Sequence, residues 1–287
     1  MAAFSTSMIK DLRDRTGLGM MECKRALTAS DGDINKAIDD LRKSSGIKAA
    51  KKAGRIAADG IIAVKMSEDD KRGVMIEVNT ETDFAARDNS FIGFVNESLD
   101  KAFDTDKFVF EEFIVNMEEA RHALVQKIGE NISIRRVEIL SSTVVGNYIH
   151  SNKRIGVMVA LEKGDTEVAK DVAMHIAASN PEVVEPEDMP DHLVQKEKEI
   201  FIAQAKESGK SDEIINKMIN GRINKFLSES SLLNQPFVKN PEMTVGELVK
   251  NSDAKILSFS RFEVGEGIEK IEVDFATEVA AQVNAAK

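Results

Sequence analysis

The sequence predicts an α+β protein that combines a bundle of three N-terminal helices with a duplicated α/β core of hairpin–helix units built on antiparallel sheets. Three observations support this fold class. Apolar residues recur every three or four positions over residues 5–45, the spacing of one face of a helix. From residue 60 the spacing changes to two, which is typical of strands with one covered face. Hairpins and helices then follow each other in the same order twice.

The three N-terminal helices have recognisable ends. Ser5 or Thr6 can cap the first helix, and Gly17 ends it as a left-handed C-terminal glycine does. The second helix covers residues 20–29, and Asp33 can cap the third. The Ala-rich basic stretch that follows is interpreted as a solvated helical linker. A bundle of about 40 residues has a small core, so we expect it to be stabilised by packing against a partner or to serve as a binding module.

The core begins with a first hairpin–helix unit. Its two strands are predicted at residues 61–66 and 74–78, with the turn SEDDKRG between them. The unit continues with a break at residues 80–83, a helix to about residue 103, a second amphipathic helix at 111–128 and a strand at 132–140.

A second unit repeats this order. Its predicted elements are strands at residues 144–150 and 156–161 and a helix that runs from Asp165 or Thr166 to Ala178. The units share the sequence KRGVM, which the second unit interrupts with one isoleucine, and Gly60 opens one hairpin as Gly146 opens the other. An ancient duplication explains both similarities; two unrelated units that share a few residues by chance are the alternative.

A helical hairpin interrupts the second unit. Residues 191–227 are strongly helical on both sides of a break at 208–211, and residues 255–264 return to a strand. The apolar residues of this hairpin can pack within it or against another chain, which leaves a homodimer through the hairpin open. A last helix at residues 268–286 carries a single apolar stripe, which suits docking on a partner or on the chain's own core.

These elements divide the chain into five parts. They are an N-terminal three-helix partner-binding module (1–55), core subdomain N (56–140), core subdomain C (141–186 and 231–265), the inserted helical hairpin (187–230) and a C-terminal helical module (266–287).

Composition favours a reducing, aqueous compartment. The only cysteine, Cys23, cannot form an internal disulfide, and we expect it to be a buried helix residue. The N-terminus lacks a secretory pattern, and no run approaches the ~20 apolar residues of a membrane span, so we expect a cytoplasmic location and no membrane contact. A net charge of -10 disfavours nucleic acid as a partner, because phosphates repel an acidic chain.

Motifs for catalysis are missing from the sequence. It contains no GxxxxGK[ST] phosphate loop and no GxSxG nucleophile elbow, and its four histidines lack metal-ligand spacing. We therefore expect no catalytic side chain, metal site or cofactor, and a role in binding another protein and changing its state. The alternatives are an enzyme that pairs Asp83 with His150 as acid and base, and a plain scaffold.

Two segments stand out as contact surfaces. Met20 and Met21 begin a helix, and adjacent helical side chains point about 100° apart, so a small bundle cannot fully bury both. Exposed methionine is an adaptable contact surface, whereas the alternative is one core methionine and one half-buried methionine. Asp83 can cap the helix after the first hairpin, and Phe84 is then either a core residue or a wedge presented on a rigid turn.

Several long motifs resemble bacterial translation elongation factor Ts. They are RTGLGMMECKRALTASDGDINKAIDDLRKSSGIKAAKKAGR, EVNTETDFAARDNSF, KIGENISIRR, AMHIAASNPE and SFSRFEVGEGIEK. The resemblance runs from about Thr6 to the last helix and is weakest at residues 104–120 and 187–230. It implies guanine-nucleotide exchange on the GTPase elongation factor Tu. Such a factor binds the GDP form, dislodges Mg²⁺ and GDP, and stabilises the nucleotide-free state until GTP binds.

The resemblance also implies which residues contact the GTPase. The N-terminal helices resemble a ubiquitin-associated module, and the inserted hairpin and last helix match the family's coiled coil and C-terminal module. The residues that match the segment that dislodges Mg²⁺ are Thr82, Asp83, Phe84 and Ala85. The implied contacts of the N-terminal module are Lys10, Arg13, Met20, Met21 and Lys24, and core subdomain C would contribute His150.

Overall fold

A computed structural model describes residues 4–206 and 212–269 of the chain, which is an α+β protein as predicted. The predicted break at residues 208–211 and the last helix beyond residue 269 lie outside the described residues. None of the helices in residues 4–206 and 212–269 combines the length and the hydrophobicity that a membrane span requires.

The N-terminal bundle consists of α1 (Thr6–Thr16), α2 (Met20–Ala29) and α3 (Ile34–Lys52). Both ends of α1 are confirmed: the Ser5 side chain accepts a hydrogen bond from the backbone N of Met8, and Gly17 has a φ of 67°. The cap of α3 is confirmed as well, since the Asp33 carboxylate accepts from the backbone N of Lys36 at 3.0 Å. The predicted linker forms the last turns of α3, so the bundle and its linker share one continuous helix.

The core of the bundle is small. It is formed by the fully or nearly buried side chains of Leu12, Leu18, Cys23, Leu27, Ala37 and Leu41. Cys23 is fully buried, as predicted. Because these side chains fill the space between the three helices, the bundle has no room for the two methionines at the start of α2.

The first hairpin–helix unit contains β1 (Asp59–Met66), β2 (Arg72–Thr80), α4 (Asp83–Ala86), α5 (Asn89–Phe103), α6 (Phe110–Ile128) and β3 (Ile132–Ser141). Its strands form an antiparallel sheet in the order β1-β2-β3. The prediction of one unbroken helix from the end of β2 to residue 103 is wrong. The chain leaves the helix at Arg87, and Asp88 starts α5 by accepting a hydrogen bond from the backbone N of Ser90 at 2.7 Å.

The second unit contains β4 (Val144–Ile149), β5 (Ile155–Lys163), α7 (Thr166–Ser179), α8 (Asp191–Lys206), α9 (Asp212–Ser230), β6 (Pro236–Phe237), β7 (Asn240–Thr244), α10 (Val245–Asn251) and β8 (Lys255–Glu263). Strands β4, β5 and β8 form a second antiparallel sheet in that order. Helices α8 and α9 pack together as the predicted hairpin. The elements β6, β7 and α10 were not predicted, because such short segments show no periodicity.

The two sheets pack face to face around an approximate twofold axis. A Cβ atom on Gly73 would lie 2.8 Å from the Sδ atom of Met158, and one on Gly156 would lie 3.1 Å from the Sδ atom of Met75. Two backbone hydrogen bonds between the units are related in the same reciprocal way. The N atom of Ile62 donates to the carbonyl oxygen of Lys153 at 2.8 Å, and the N atom of Val145 donates to that of Asp70 at 2.6 Å.

This reciprocity supports the duplication and corrects one detail of it. Gly73 pairs with Met66 in the first sheet, and Gly156 pairs with Ile149 in the second. Gly146 lies three residues before Ile149 and therefore aligns with Ala63. The prediction that Gly146 corresponds to Gly60 is wrong.

Helices cover the outer face of each sheet, so the core has four layers. Helices α5 and α6 pack on the first sheet around Phe91, Phe94 and Leu124, and helices α7 and α10 pack on the second around Val172 and Ile176.

Subdomain C also buries a histidine. The Nδ1 atom of His175 accepts a hydrogen bond from the backbone N of Val238 at 3.1 Å, and its Nε2 atom lies 2.9 Å from the Oε1 atom of Gln235. Burial lowers the pKa of His175 below its ordinary value, although the bond to Gln235 opposes this. The neutral ring therefore joins α7 to the segment that follows the helical hairpin.

Candidate partner-binding edge

Phe84 lies on an exposed turn at the end of β2. Its side chain is 80% exposed, so the alternative that Phe84 is a core residue is wrong. The Oγ1 atom of Thr82 accepts a hydrogen bond from the backbone N of Ala85 at 3.2 Å, which makes Thr82 the cap of α4. Asp83, the predicted cap, is instead the first residue of the helix and pairs with Arg87 at 2.8 Å. Ala85 faces inward and is buried.

A neighbouring segment braces this turn. The Glu130 carboxylate accepts hydrogen bonds from Thr80 and Thr82, and the Glu81 carboxylate accepts one from the backbone N of Asn131 at 2.6 Å. Glu130 is not among the predicted site residues, because its partners lie about 50 residues away along the chain. Its only sequence signal is its place in the KIGENISIRR motif, where α6 ends and β3 begins.

The N-terminal module presents the predicted methionines to solvent. Met20 is 46% exposed and Met21 is 67% exposed, so the alternative with one methionine in the core is wrong. Lys10, Arg13 and Lys24 are exposed on α1 and α2, and none of them forms an ion pair with a described residue. The module therefore presents exposed methionines and three exposed cations, and we call Lys10, Arg13 and Lys24 the basic rim.

The start of α2 is tied to the end of α6. The Glu22 carboxylate accepts hydrogen bonds from Lys48 and from the Nε2 atom of Gln126, the latter at 2.9 Å. Burial raises the pKa of Glu22, but the bonds from Lys48 and Gln126 outweigh burial and hold this pKa below its ordinary value. Since α6 leads directly to Glu130, the methionines and Phe84 are held around the same end of one helix.

His150 lies on the second sheet, where β4 ends. It is exposed at the end of β4, and its Nδ1 atom is 3.0 Å from the Oδ1 atom of Asn152. The turn that follows is fixed by an ion pair between Arg154 and Asp59, and Asp59 pairs with Thr80 across the first sheet. Because Thr80 precedes the braced turn, contacts link His150 to Phe84. We call the four exposed residues Met20, Met21, Phe84 and His150 together the contact edge.

An open cleft adjoins His150. Its volume is about 540 Å³, and it is lined by Tyr148, His150, Ile155, Met174, Ala177, Ala178, Val238 and Lys239. The enzyme alternative pairs Asp83 with His150, but the structure shows no hydrogen bond between them. Asp83 accepts a hydrogen bond from Arg87, and His150 is hydrogen-bonded to Asn152. Among the described residues, no group of three His, Cys, Asp or Glu side chains is arranged to hold a metal ion.

The duplicated core, with exposed apolar residues on braced turns and no metal-binding group among the described residues, is typical of the class of proteins that bind a macromolecular partner. Comparisons with known proteins identify the family within that class. The family described as Elongation factor TS matches residues 81–266. Curated relatives named Elongation factor Ts include the protein of Hahella chejuensis, 60% identical over 284 residues and 99% of both chains. The protein of Pseudomonas aeruginosa is 56% identical over 289 residues and 100% of both chains. The chain belongs to the elongation factor Ts family, whose members act in the elongation stage of protein biosynthesis.

Proposed function

We propose that the chain is a guanine-nucleotide exchange factor for elongation factor Tu in the cytoplasm. It binds the GDP form of this GTPase, dislodges Mg²⁺ and GDP, and stabilises the nucleotide-free state until GTP binds. The observation that carries the proposal is Phe84, an aromatic side chain that is 80% exposed on a turn braced from behind. A large exposed apolar side chain on a fixed backbone is suited to insertion into a partner.

Exchange of this kind follows from linkage between two ligands of one protein. The factor accelerates GDP release only if it binds the GTPase better when nucleotide and metal are absent. The exchange protein then weakens nucleotide binding to the GTPase by a certain ratio, and the nucleotide weakens binding of the exchange protein by the same ratio. Under this proposal no side chain of the factor performs covalent chemistry, and the factor itself needs no cofactor.

Phe84 is the residue that supplies the coupling. We propose that it inserts between helices of the GTPase and displaces the groups that hold Mg²⁺, with Thr82, Asp83 and Ala85 forming the turn that carries it. Burial of one phenylalanine side chain is worth about 1.5–3 kcal/mol. Since about 1.4 kcal/mol corresponds to a tenfold change in affinity, one wedge can account for a large part of the coupling.

The N-terminal module supplies affinity in every nucleotide state. Met20 and Met21 offer an adaptable apolar surface, and Lys10, Arg13 and Lys24 add positive charge to the same module. Residues 1–55 contain 12 Lys and Arg against 7 Asp and Glu, in a chain whose net charge is -10. This charge separation favours an acidic protein surface as the docking site and directs the module towards it. His150 would add a contact from core subdomain C.

The helical hairpin offers a separate surface for a second copy of the chain. Ile200 is 41% exposed on α8 and Ile214 is 48% exposed on α9. A homodimer through these residues is a proposal that sedimentation of the Ile200→Ser variant tests, because loss of a dimer would shift the sedimentation coefficient.

The test of the main proposal is release of a fluorescent GDP from purified elongation factor Tu at fixed Mg²⁺. We expect substoichiometric amounts of this protein to accelerate release of the whole GDP pool, because the factor is recycled. Binding without acceleration would instead support the scaffold alternative.

A further inference from the structure

We infer that Glu130 is a positioning residue for exchange: it fixes the turn that presents Phe84 and acts through Phe84 alone. This inference rests on the proposed function and adds to it a residue that lies behind the contact edge. Glu130 is half-buried between the end of α6 and the start of β3.

One carboxylate holds both sides of the turn. Its Oε2 atom accepts hydrogen bonds from the Oγ1 atom of Thr80 at 2.9 Å and from the backbone N of Thr82 at 3.0 Å. Its Oε1 atom accepts a hydrogen bond from the Oγ1 atom of Thr82 at 2.7 Å. Glu130 therefore joins the last residue of β2 to the cap of α4. Hydrogen bonds to a charged acceptor are stronger than those between neutral groups.

Glu130 also orients the cap itself. The Thr82 hydroxyl has one proton and two lone pairs, and it must accept from the backbone N of Ala85 to cap α4. Because its proton is donated to Glu130, a lone pair is directed at Ala85. Without that acceptor the hydroxyl is free to rotate, and the cap is lost for part of the time.

The turn depends on this brace because α4 cannot support itself. It contains only four residues, Asp83–Ala86, and a single helical turn is unstable on its own. A second tie comes from Glu81, which accepts a hydrogen bond from the backbone N of Asn131. That tie holds the strand end in place, whereas Glu130 bonds directly to the residue that starts the turn.

The other contacts of the proposed interface are held independently of Glu130. Met20 and Met21 are placed by the bundle core and by the bonds of Glu22, and His150 by its own turn. Loss of the Glu130 carboxylate should therefore leave binding intact and weaken the step that needs an ordered Phe84. The expected signature is a lower maximal rate of GDP release with an unchanged half-saturating concentration.

The first experiment measures GDP release from elongation factor Tu over a range of factor concentrations. We expect Glu130→Gln to lower the maximal rate about tenfold, the equivalent of one hydrogen bond to a charged group. Glu112→Gln, an exposed glutamate on α6, is the matched control and should not change it. Thr82→Val should lower the rate as well, and Thr82→Ser, which keeps the hydroxyl, should preserve it.

A double variant separates positioning from a general loss of structure. If Glu130 acts through Phe84, Glu130→Gln has no further effect on the maximal rate in a Phe84→Ala background. A further loss of the same size in that background would overturn the inference, and so would a wild-type maximal rate for Glu130→Gln alone.

The second experiment needs no GTPase. The chain contains no tryptophan, so Phe84→Trp introduces a single tryptophan at the turn, and excitation at the red edge of its absorption avoids Tyr148. We expect Glu130→Gln, but not Glu112→Gln, to lower its fluorescence anisotropy because the turn gains local motion. Equal anisotropy in both would overturn the positioning role. Failure of the wild-type protein to accelerate GDP release would overturn the exchange role, and the anisotropy would still show whether Glu130 orders the turn.

Discussion

The two hairpin–helix units share one scaffold and differ where the middle strand meets its helix. Thr82 lies nine residues after Gly73, and Asp165 lies nine residues after Gly156. Both residues cap the helix that follows, with hydrogen bonds of 3.2 Å from the N atom of Ala85 and 2.9 Å from that of Val168. Two positions after the cap, the first unit has exposed Phe84 and the second has exposed Glu167. The same backbone arrangement thus presents an apolar side chain in one unit and a charged one in the other.

The helices that follow these two caps also differ between the units. In the first unit the helix stops after four residues and restarts at α5, whereas in the second α7 runs unbroken for 14 residues. A one-turn helix packs little of its surface on the sheet and leaves Phe84 free to contact a partner. A long helix packs along its whole length and forms one wall of the cleft beside His150. Under the proposed function, the first unit presents the wedge and the second unit supports a surface.

The largest effect should come from removing the wedge. Phe84→Ala should reduce the maximal rate of GDP release from elongation factor Tu by roughly 10- to 100-fold, since about 1.5–3 kcal/mol of burial is lost. Stability should be unchanged, because Phe84 is 80% exposed. Glu167→Ala at the equivalent position should leave the rate unaltered. A rate within twofold of wild type for Phe84→Ala would break the functional contrast between the units.

A second large effect concerns packing of the second unit. A Cβ atom on Gly146 would lie 2.4 Å from that of Ala169 and 2.6 Å from the Ala169 carbonyl carbon, so α7 approaches β4 more closely than any side chain allows. Gly146→Ala should destabilise the protein by about 1–3 kcal/mol, measured by urea unfolding. The equivalent position of the first unit already carries Ala63. Gly93→Ala on α5, where a Cβ atom meets nothing within 4 Å, is the control and should stabilise slightly.

A smaller effect depends on pH and on the second unit alone. Burial lowers the pKa of His175 in the folded state, so below its ordinary value of 6.5 the unfolded chain binds more protons than the folded one. Stability should therefore fall as the pH decreases below about 6.5, with a slope of at most ~1.4 kcal/mol per pH unit from this residue. Urea unfolding at several pH values tests this, and His175→Gln should remove that part of the slope. An unchanged slope would show that another group is responsible.

The smallest effect should come from the basic rim. Lys24→Glu should raise the half-saturating concentration about fivefold at low salt, the equivalent of roughly 1 kcal/mol, without changing the maximal rate. Added salt should reduce the difference, because it screens exposed charges. Lys107→Glu, an exposed change in core subdomain N, is the control. An equal effect of both variants would show that net charge, and not the rim, determines affinity.

Much of the fold could be predicted because its signals are local. The ends of α1 follow from Ser5 and Gly17, and both hairpins follow from their alternating strands. The break between α4 and α5 was missed because neither glycine nor proline marks it, and its only signal is Asp88 as a cap. Residues 236–251 were missed because their elements are held by contacts and not by periodicity.

The sequence indicated candidates for the exposed residues of the site. It did not indicate the residues behind them that hold them in place. Two adjacent methionines in a small bundle indicated that both cannot be fully buried, and the TDF sequence at a strand end left Phe84 as either a core residue or an exposed wedge. We infer that Glu130 helps to make Thr82 the cap, because the Thr82 hydroxyl donates to Glu130 and accepts from the backbone N of Ala85. A contact across about 50 residues cannot be recognised from one sequence.

The most direct test of the central claim compares binding of this protein to elongation factor Tu in its nucleotide-free state and in its GDP·Mg²⁺ state. Linkage relates two ratios: the ratio of the wild-type protein's affinities for the nucleotide-free and GDP·Mg²⁺ states must equal the ratio by which the protein lowers the affinity for GDP. We predict that Phe84→Ala loses most of this preference and still binds, through the N-terminal module. Equal affinity of the wild-type protein for both states, or an undiminished preference in the variant, would contradict the account.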